Sequence, residues 1–118
     1  MSDFAYKLVD LAEWQAALAK ASYAGSALDL KDGYIHLSSG AQLAETARRY
    51  FAGRGDLVLV AVDLRRAGDA LKWEPSRGGD LFPHLYGPLT TDLASDERRL
   101  SVDAEGVMHF EDGTVGWP

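Results

Sequence analysis

The chain has 118 residues and a net charge of -6, with 18 acidic against 12 basic side chains. It holds no cysteine, which excludes disulfides, thiolate zinc sites and cysteine nucleophiles. The acidic balance disfavours nucleic acid as a partner, because phosphate contacts need a basic footprint.

The length and the 47% hydrophobic content suit one domain over 1–118. A chain of this size buries roughly two-thirds of its unfolded surface, enough for a core without staples. No apolar run approaches the roughly 20 residues that cross a bilayer, so no membrane partner is expected. Met1-Ser2-Asp3-Phe4 lacks the basic start and apolar stretch of a secretory leader. A cytoplasmic location is the expectation from these features together.

In chain order, Phe4 to Val9 is rich in strand formers and reads as a first strand. Asp10 and Glu13 stand at capping-box spacing and open a helix. Leu11, Trp14, Leu18 and Ala21 give its buried stripe, and Gly25 ends it as a left-handed cap. Ser26 to Lys31 reads as a connector with Leu28 and Leu30 at strand spacing. Asp32-Gly33 is a turn before a short strand, Tyr34 to Leu37. Alternation puts Ile35 and Leu37 on one face and Tyr34 and His36 on the other. Ser39 and Gln42 repeat the capping-box spacing before a helix over 40–51, with Leu43, Ala47, Tyr50 and Phe51 inward.

Leu57 to Val62 is an unbroken apolar run rich in valine, predicted as a central strand buried on both faces. Asp63 to Gly68 is a turn region, and Leu71 to Glu74 is a strand stopped by Pro75. Ser76 to Asp80 is a loop by composition. Leu81 to Leu89 reads as a rigid, aromatic-lined loop, because Pro83 and Pro88 fix φ and remove two donors. Leu93 and Leu100 to Val102 are weak strands split by a charged turn. Val107 to Phe110 returns as a hairpin strand, followed by a tail containing Trp117. The pairs Arg48-Arg49, Arg65-Arg66 and Arg98-Arg99 read as solvated faces.

Two segments stand out for chemistry, 32–39 and 82–88, each with one histidine. We expect them to meet and line one pocket. His36 and Ser38 share a strand face, and the helix start at Ser39 offers free N–H groups to an anion. His84 sits in the proline-stiffened segment before Tyr86. Arg77, beside Gly78-Gly79, offers a guanidinium to the same kind of ligand. Glu74 stands as a general base or a hydroxyl-binding carboxylate, or else pairs with Arg77 or Lys72. The competing reading makes both histidines structural, each tying its segment to the backbone. His36, His84 and His109 lack metal-ligand spacing, so no metal is expected. Ser38 lies outside any nucleophile elbow.

Tyr6-Lys7-Leu8, Asp32 to Ser38, the run at 57–62, Trp73-Glu74 and Phe82 to Leu89 together resemble the bacterial domain-of-unknown-function family numbered 952. The resemblance covers about 4–103 and leaves the hairpin and tail at 104–118 outside. It implies an α+β domain related to the ADP-ribosyltransferase-like fold, with two short sheets forming a cleft and two helices. By that analogy His36, Ser38, Glu74, His84 and Tyr86 line the cleft, and NAD or a related nucleotide is the implied ligand. The match departs from the transferases at Lys7, where those enzymes often carry histidine or arginine, and the resemblance assigns no glutamate to the ribose-orienting role. The chain therefore reads as a binder of a small anionic or nucleotide-like ligand, with transfer chemistry and plain binding both open. A non-catalytic interaction module is the alternative. Nothing in the chain sets the oligomeric state.

Overall fold

The computed structural model describes residues 3–117; Met1, Ser2 and Pro118, the ends of the predicted N-terminal stretch and tail, lie outside it. Strand β1 (Phe4–Asp10) leads directly into helix α1 (Leu11–Lys20). The Asp10 side chain accepts the Glu13 N–H at 3.2 Å, as the spacing predicts. The helix stops four residues before Gly25. Ala21 takes the left-handed cap at φ 58°, and its N–H closes on Ala17 and Leu18. Trp14 and Ala17 are the buried positions, and Leu18 faces outward.

A short strand β2 (Ser22–Tyr23) follows, then helix α2 (Ala27–Asp32), where a connector was expected. The reason is a complete capping box. Ser26 Oγ accepts the Asp29 N–H, and Asp29 Oδ2 accepts the Ser26 N–H at 2.8 Å. Leu28 and Leu30 are exposed on this one-and-a-half-turn helix, so their spacing carried no burial signal. Gly33 caps α2 at φ 89°, and β3 (Ile35–His36) leaves from it.

Helix α3 (Leu43–Tyr50) begins later than predicted. Leu43 and Ala47 are inside, whereas Tyr50 is exposed. Strand β4 (Leu57–Asp63) is the centre of the molecule. A one-turn helix α4 (Leu64–Ala67) and a 3-10 turn then replace the predicted turn and lead to β5 (Leu71–Pro75). Beyond the turn at Arg77–Gly79 come β6 (Leu81–Leu85), β7 (Leu89–Thr90), β8 (Ala94–Val102) and β9 (Met108–Phe110).

Among the described residues the strands form three antiparallel sheets rather than two: β1-β4-β8-β9, β2-β7 and β3-β6-β5. Four α-helices, not two, accompany them. The alternation of β4 divides the core. Val58, Val60 and Val62 join Trp14, Tyr23, Ile35, Leu85 and Leu89 on one face. Leu57 and Leu59 join Leu43, Ala47, Leu100, Met108 and Phe110 on the other. Each fully buried valine or leucine contributes about 1.5–3 kcal/mol, which is why a double-sided strand organises a small domain.

The segment around Pro83 is the main departure from expectation. It is not a loop but the middle strand of the β3-β6-β5 sheet. Proline is normally confined to sheet edges, because it cannot donate to the ladder. Here the Pro83 carbonyl accepts the Leu37 N–H at 3.0 Å, so its missing donor faces β3. At that level β3 is leaving the sheet: Ser38 bridges to Tyr6 of β1 instead. The absent N–H therefore falls where a ladder bond is no longer needed. The charged run Asp96 to Arg99 is likewise strand, not turn, because it lies in register with Val58 to Ala61. Trp117 packs: its Nε1 donates to the Gly40 carbonyl and its ring meets Tyr6 edge-on.

Candidate functional site

The bridge from β3 to β1 brings residue 36 beside residue 7 and opens a cleft of about 530 Å³. Its wall includes Lys7, Asp29, His36, Ser38, Thr46 and Arg77. At its base is Asp29, a residue the sequence reading did not single out. Asp29 is 3% exposed and accepts four hydrogen bonds. Oδ2 takes the Ser26 N–H at 2.8 Å and lies 3.1 Å from Lys7 Nζ. Oδ1 takes the His36 N–H at 3.1 Å and lies 2.7 Å from His36 Nδ1. Gly25 makes the approach possible. It sits at φ 117°, and a Cβ there would come within 2.7 Å of the Asp29 Cβ. The Ser26-x-x-Asp29 spacing was the available signal, hidden because the stretch was read as extended.

Burial works to raise the Asp29 carboxyl. The His36 hydrogen bond, the Lys7 charge and two backbone N–H groups outweigh it and hold the group well below the usual carboxylate range. Burial also lowers Lys7, against the attraction of Asp29. His36 is fixed on every side. Nε2 lies 3.0 Å from Asp32 Oδ2, and its carbonyl accepts from Lys7 Nζ at 3.1 Å.

Ser38 is buried and its Oγ shares a 2.8 Å hydrogen bond with Thr46 Oγ1. Ser39 is not in the cleft wall, and its N–H is taken by Gln42 Oε1 at 3.0 Å. That closes the free helix-start donor expected there: only the backward half of the predicted box forms, and Gln42 Nε2 also donates to the Leu81 carbonyl. Arg77 reaches the cleft from its 3-10 turn. Its guanidinium lies 4.9 Å from the Phe82 ring and 5.9 Å from the Tyr50 ring, and 3.5 Å from Thr46 Oγ1. Among the described residues it has no carboxylate within ion-pair distance.

The two histidine segments do meet. His36 and His84 are register partners across β3 and β6, and their rings lie 5.5 Å apart. Yet His84 is 2% exposed and does not reach the cleft wall. It belongs to an adjoining cluster. Nδ1 stands 2.8 Å from Glu74 Oε1, and the same oxygen accepts the Tyr86 hydroxyl at 2.7 Å. Glu74 thus pairs with neither Arg77 nor Lys72. The His84 and Tyr86 hydrogen bonds hold its carboxyl below the usual range, and that carboxylate pushes the Tyr86 hydroxyl up to about 12. Tyr34 stacks on His84 at 4.2 Å and touches His36 and Tyr86. His109 is elsewhere, bound to Asp103 at 2.7 Å in the β8–β9 hairpin. Among the described residues no group of three or more metal-ligating side chains converges, and no helix is long and apolar enough to cross a membrane.

Two solved structures of protein CC0527 from Caulobacter crescentus are similar to this chain. The crystal structure shares 50% sequence identity at a TM-score of 0.84, over 89% of this chain and 92% of that one. The solution structure matches over 89% and 90% at a TM-score of 0.79. No curated protein matches the chain. Residues 8–96 match the family described as "Protein of unknown function (DUF952)". Three-quarters of the chain, including Asp29, His36, Arg77 and His84, lies within that match, and the chain belongs to this family.

Proposed function

We propose that the cleft binds a small anionic or nucleotide-like ligand, with Arg77 as its anion anchor. The observation that carries this reading is a guanidinium laid over two aromatic rings at a cleft wall, with no carboxylate within ion-pair distance among the described residues. Such a fork suits a phosphate or carboxylate bidentately. Tyr50 and Phe82 offer flat surfaces beside it, and the cleft volume falls within the roughly 300–1,000 Å³ of ligand pockets. The relation to the ADP-ribosyltransferase-like fold that the sequence resemblance implies makes NAD and ADP-ribose the first nucleotides to try. A transfer reaction would place His36 and Ser38 beside the bound ligand.

A second reading is a non-catalytic binding or interaction module in which the histidines are structural. The burial of His84 and the four-way clamp on His36 favour it. Thermal shift separates the two. A ligand at about 100 times its Kd adds roughly 2.7 kcal/mol of stability. NAD, ADP-ribose and inorganic phosphate are the probes. The first reading expects at least one to raise Tm, and Arg77→Ala to remove most of the shift while the unliganded Tm stays put. No shift with any of the three defeats it.

A further inference from the structure

Lys7 stands where the alternation of β1 calls for an apolar side chain. It shares its strand face with Ala5 and Val9, and its register partner on β4 is Val60; all three belong to the core. Its side chain is only 10% exposed. Yet Nζ does not end in the core. It lies 3.1 Å from Asp29 Oδ2 and donates to the His36 carbonyl at 3.1 Å, and Lys7, Asp29 and His36 all line the cleft. The amine therefore sits at the cleft wall on an apolar bed. A buried ion pair adds little net stability over well-packed apolar side chains, so stability alone does not account for this one.

A lysine in such a setting has a specific chemistry. Two acceptors take two of its N–H groups, which leaves one tetrahedral position of Nζ uncommitted among the described residues. When a proton leaves from there to solvent, that position holds the lone pair. Burial lowers the ammonium below the ordinary lysine value, against the pull of Asp29, and so enlarges the share of free amine. Amines activated by desolvation attack carbonyl carbons. The lone pair forms the C–N bond, the carbonyl π electrons go to oxygen, and a proton moves from nitrogen to oxygen to give a carbinolamine. A proton then returns from solvent, the hydroxyl leaves as water, and an iminium with one N–H remains. This iminium carries the same single positive charge as the ammonium, so Asp29 keeps its counter-charge. The Asp29 carboxyl, held well below the usual range, stays ionised to pair with it. An acylated lysine, by contrast, is neutral and would strand the Asp29 charge.

We propose that Lys7 condenses reversibly with the carbonyl of an aldehyde or ketone in the cleft, as an iminium paired with Asp29. The same molecule places its phosphate or carboxylate at Arg77. That second statement rests on the cleft reading above; the first does not. The ligand class is thus an anionic carbonyl compound.

Pyridoxal phosphate and pyridoxal are matched probes, alike except for the phosphate. The full chain is mixed with each near neutral pH, cyanoborohydride fixes any iminium as a stable secondary amine, and mass spectrometry follows each lysine. In the native protein pyridoxal phosphate should label Lys7 at least tenfold faster than the exposed Lys20, Lys31 and Lys72. Normalised to those exposed lysines, the preference of Lys7 for the phosphate over pyridoxal should be at least fivefold, and Arg77→Ala should erase it. In the urea-unfolded chain Lys7 should react as the other lysines do. A native Lys7 that reacts no faster than the exposed lysines with either aldehyde overturns the proposal. So does a Lys7 preference that persists after unfolding, because it then belongs to the peptide and not to the fold. A normalised Lys7 rate that is equal for the two aldehydes overturns the Arg77 statement alone. Failure of the cleft reading appears separately, as the absence of any thermal shift that depends on Arg77.

Discussion

Removing the Asp29 carboxylate should cost this domain more than almost any other polar change. In Asp29→Ala the Ser26 N–H and the His36 N–H both lose their acceptor. The Lys7 ammonium, whose side chain is 10% exposed, loses its counter-charge. Breaking a buried pair by deleting one partner costs about 3–5 kcal/mol, mostly the penalty of stranding the other charge. A domain of this size has only about 5–15 kcal/mol in total. At roughly 3–5 °C per kcal/mol, the expected fall in Tm is about 10–20 °C. Urea unfolding followed by circular dichroism gives the free energy, and calorimetry gives Tm. The decisive arm is the double variant. Lys7→Met alone strands the carboxylate and should also destabilise, but Lys7→Met with Asp29→Ala should lose less than the sum of the singles by at least about 1 kcal/mol. A loss below about 1 kcal/mol for Asp29→Ala, or additive effects of the pair, would refute the claim that this carboxylate pins α2, β1 and β3 together.

The same group sets an acid limit. Its folded carboxyl is held below the unfolded value of 3.8, so its contribution is complete above that value and lost as pH falls through the folded one. Native protein should therefore lose stability from about pH 4 downward more steeply than Asp29→Asn, and parallel pH profiles of the two would sink the assignment. Two glycines give a matched pair. Gly106 sits at φ 86°, and a Cβ there would come within 2.5 Å of the Arg48 Cα, whereas Gly33 at φ 89° has open space. Gly33→Ala should cost about 1–2 kcal/mol from the left-handed backbone alone, and Gly106→Ala distinctly more; equal losses in urea unfolding would contradict the packing of α3 on the β8–β9 hairpin.

Local pattern was enough wherever one residue's neighbours in sequence decide its environment. The valine-rich run at 57–62 reads as a strand buried on both faces, and it is one; its period of two then sets Leu57 and Leu59 in one half of the core and Val58, Val60 and Val62 in the other. The same period set Ile35 and Leu37 on one face and Tyr34 with His36 on the other, and the structure makes the first of these the core face. Asp10 with Glu13 marked a helix start because a cap is made within four residues. Tertiary structure alone decided the rest. Asp96 to Arg99 is strand because β4 offers a ladder, not because those residues favour one. Pro83 sits mid-sheet because β3 departs at its level. Asp29 became the keystone of the cleft only when Lys7, Ser26 and His36 converged on it. A carboxylate's role depends on which donors surround it in space, and residues 22 places before it and 7 after leave no trace of that meeting in the order of the chain.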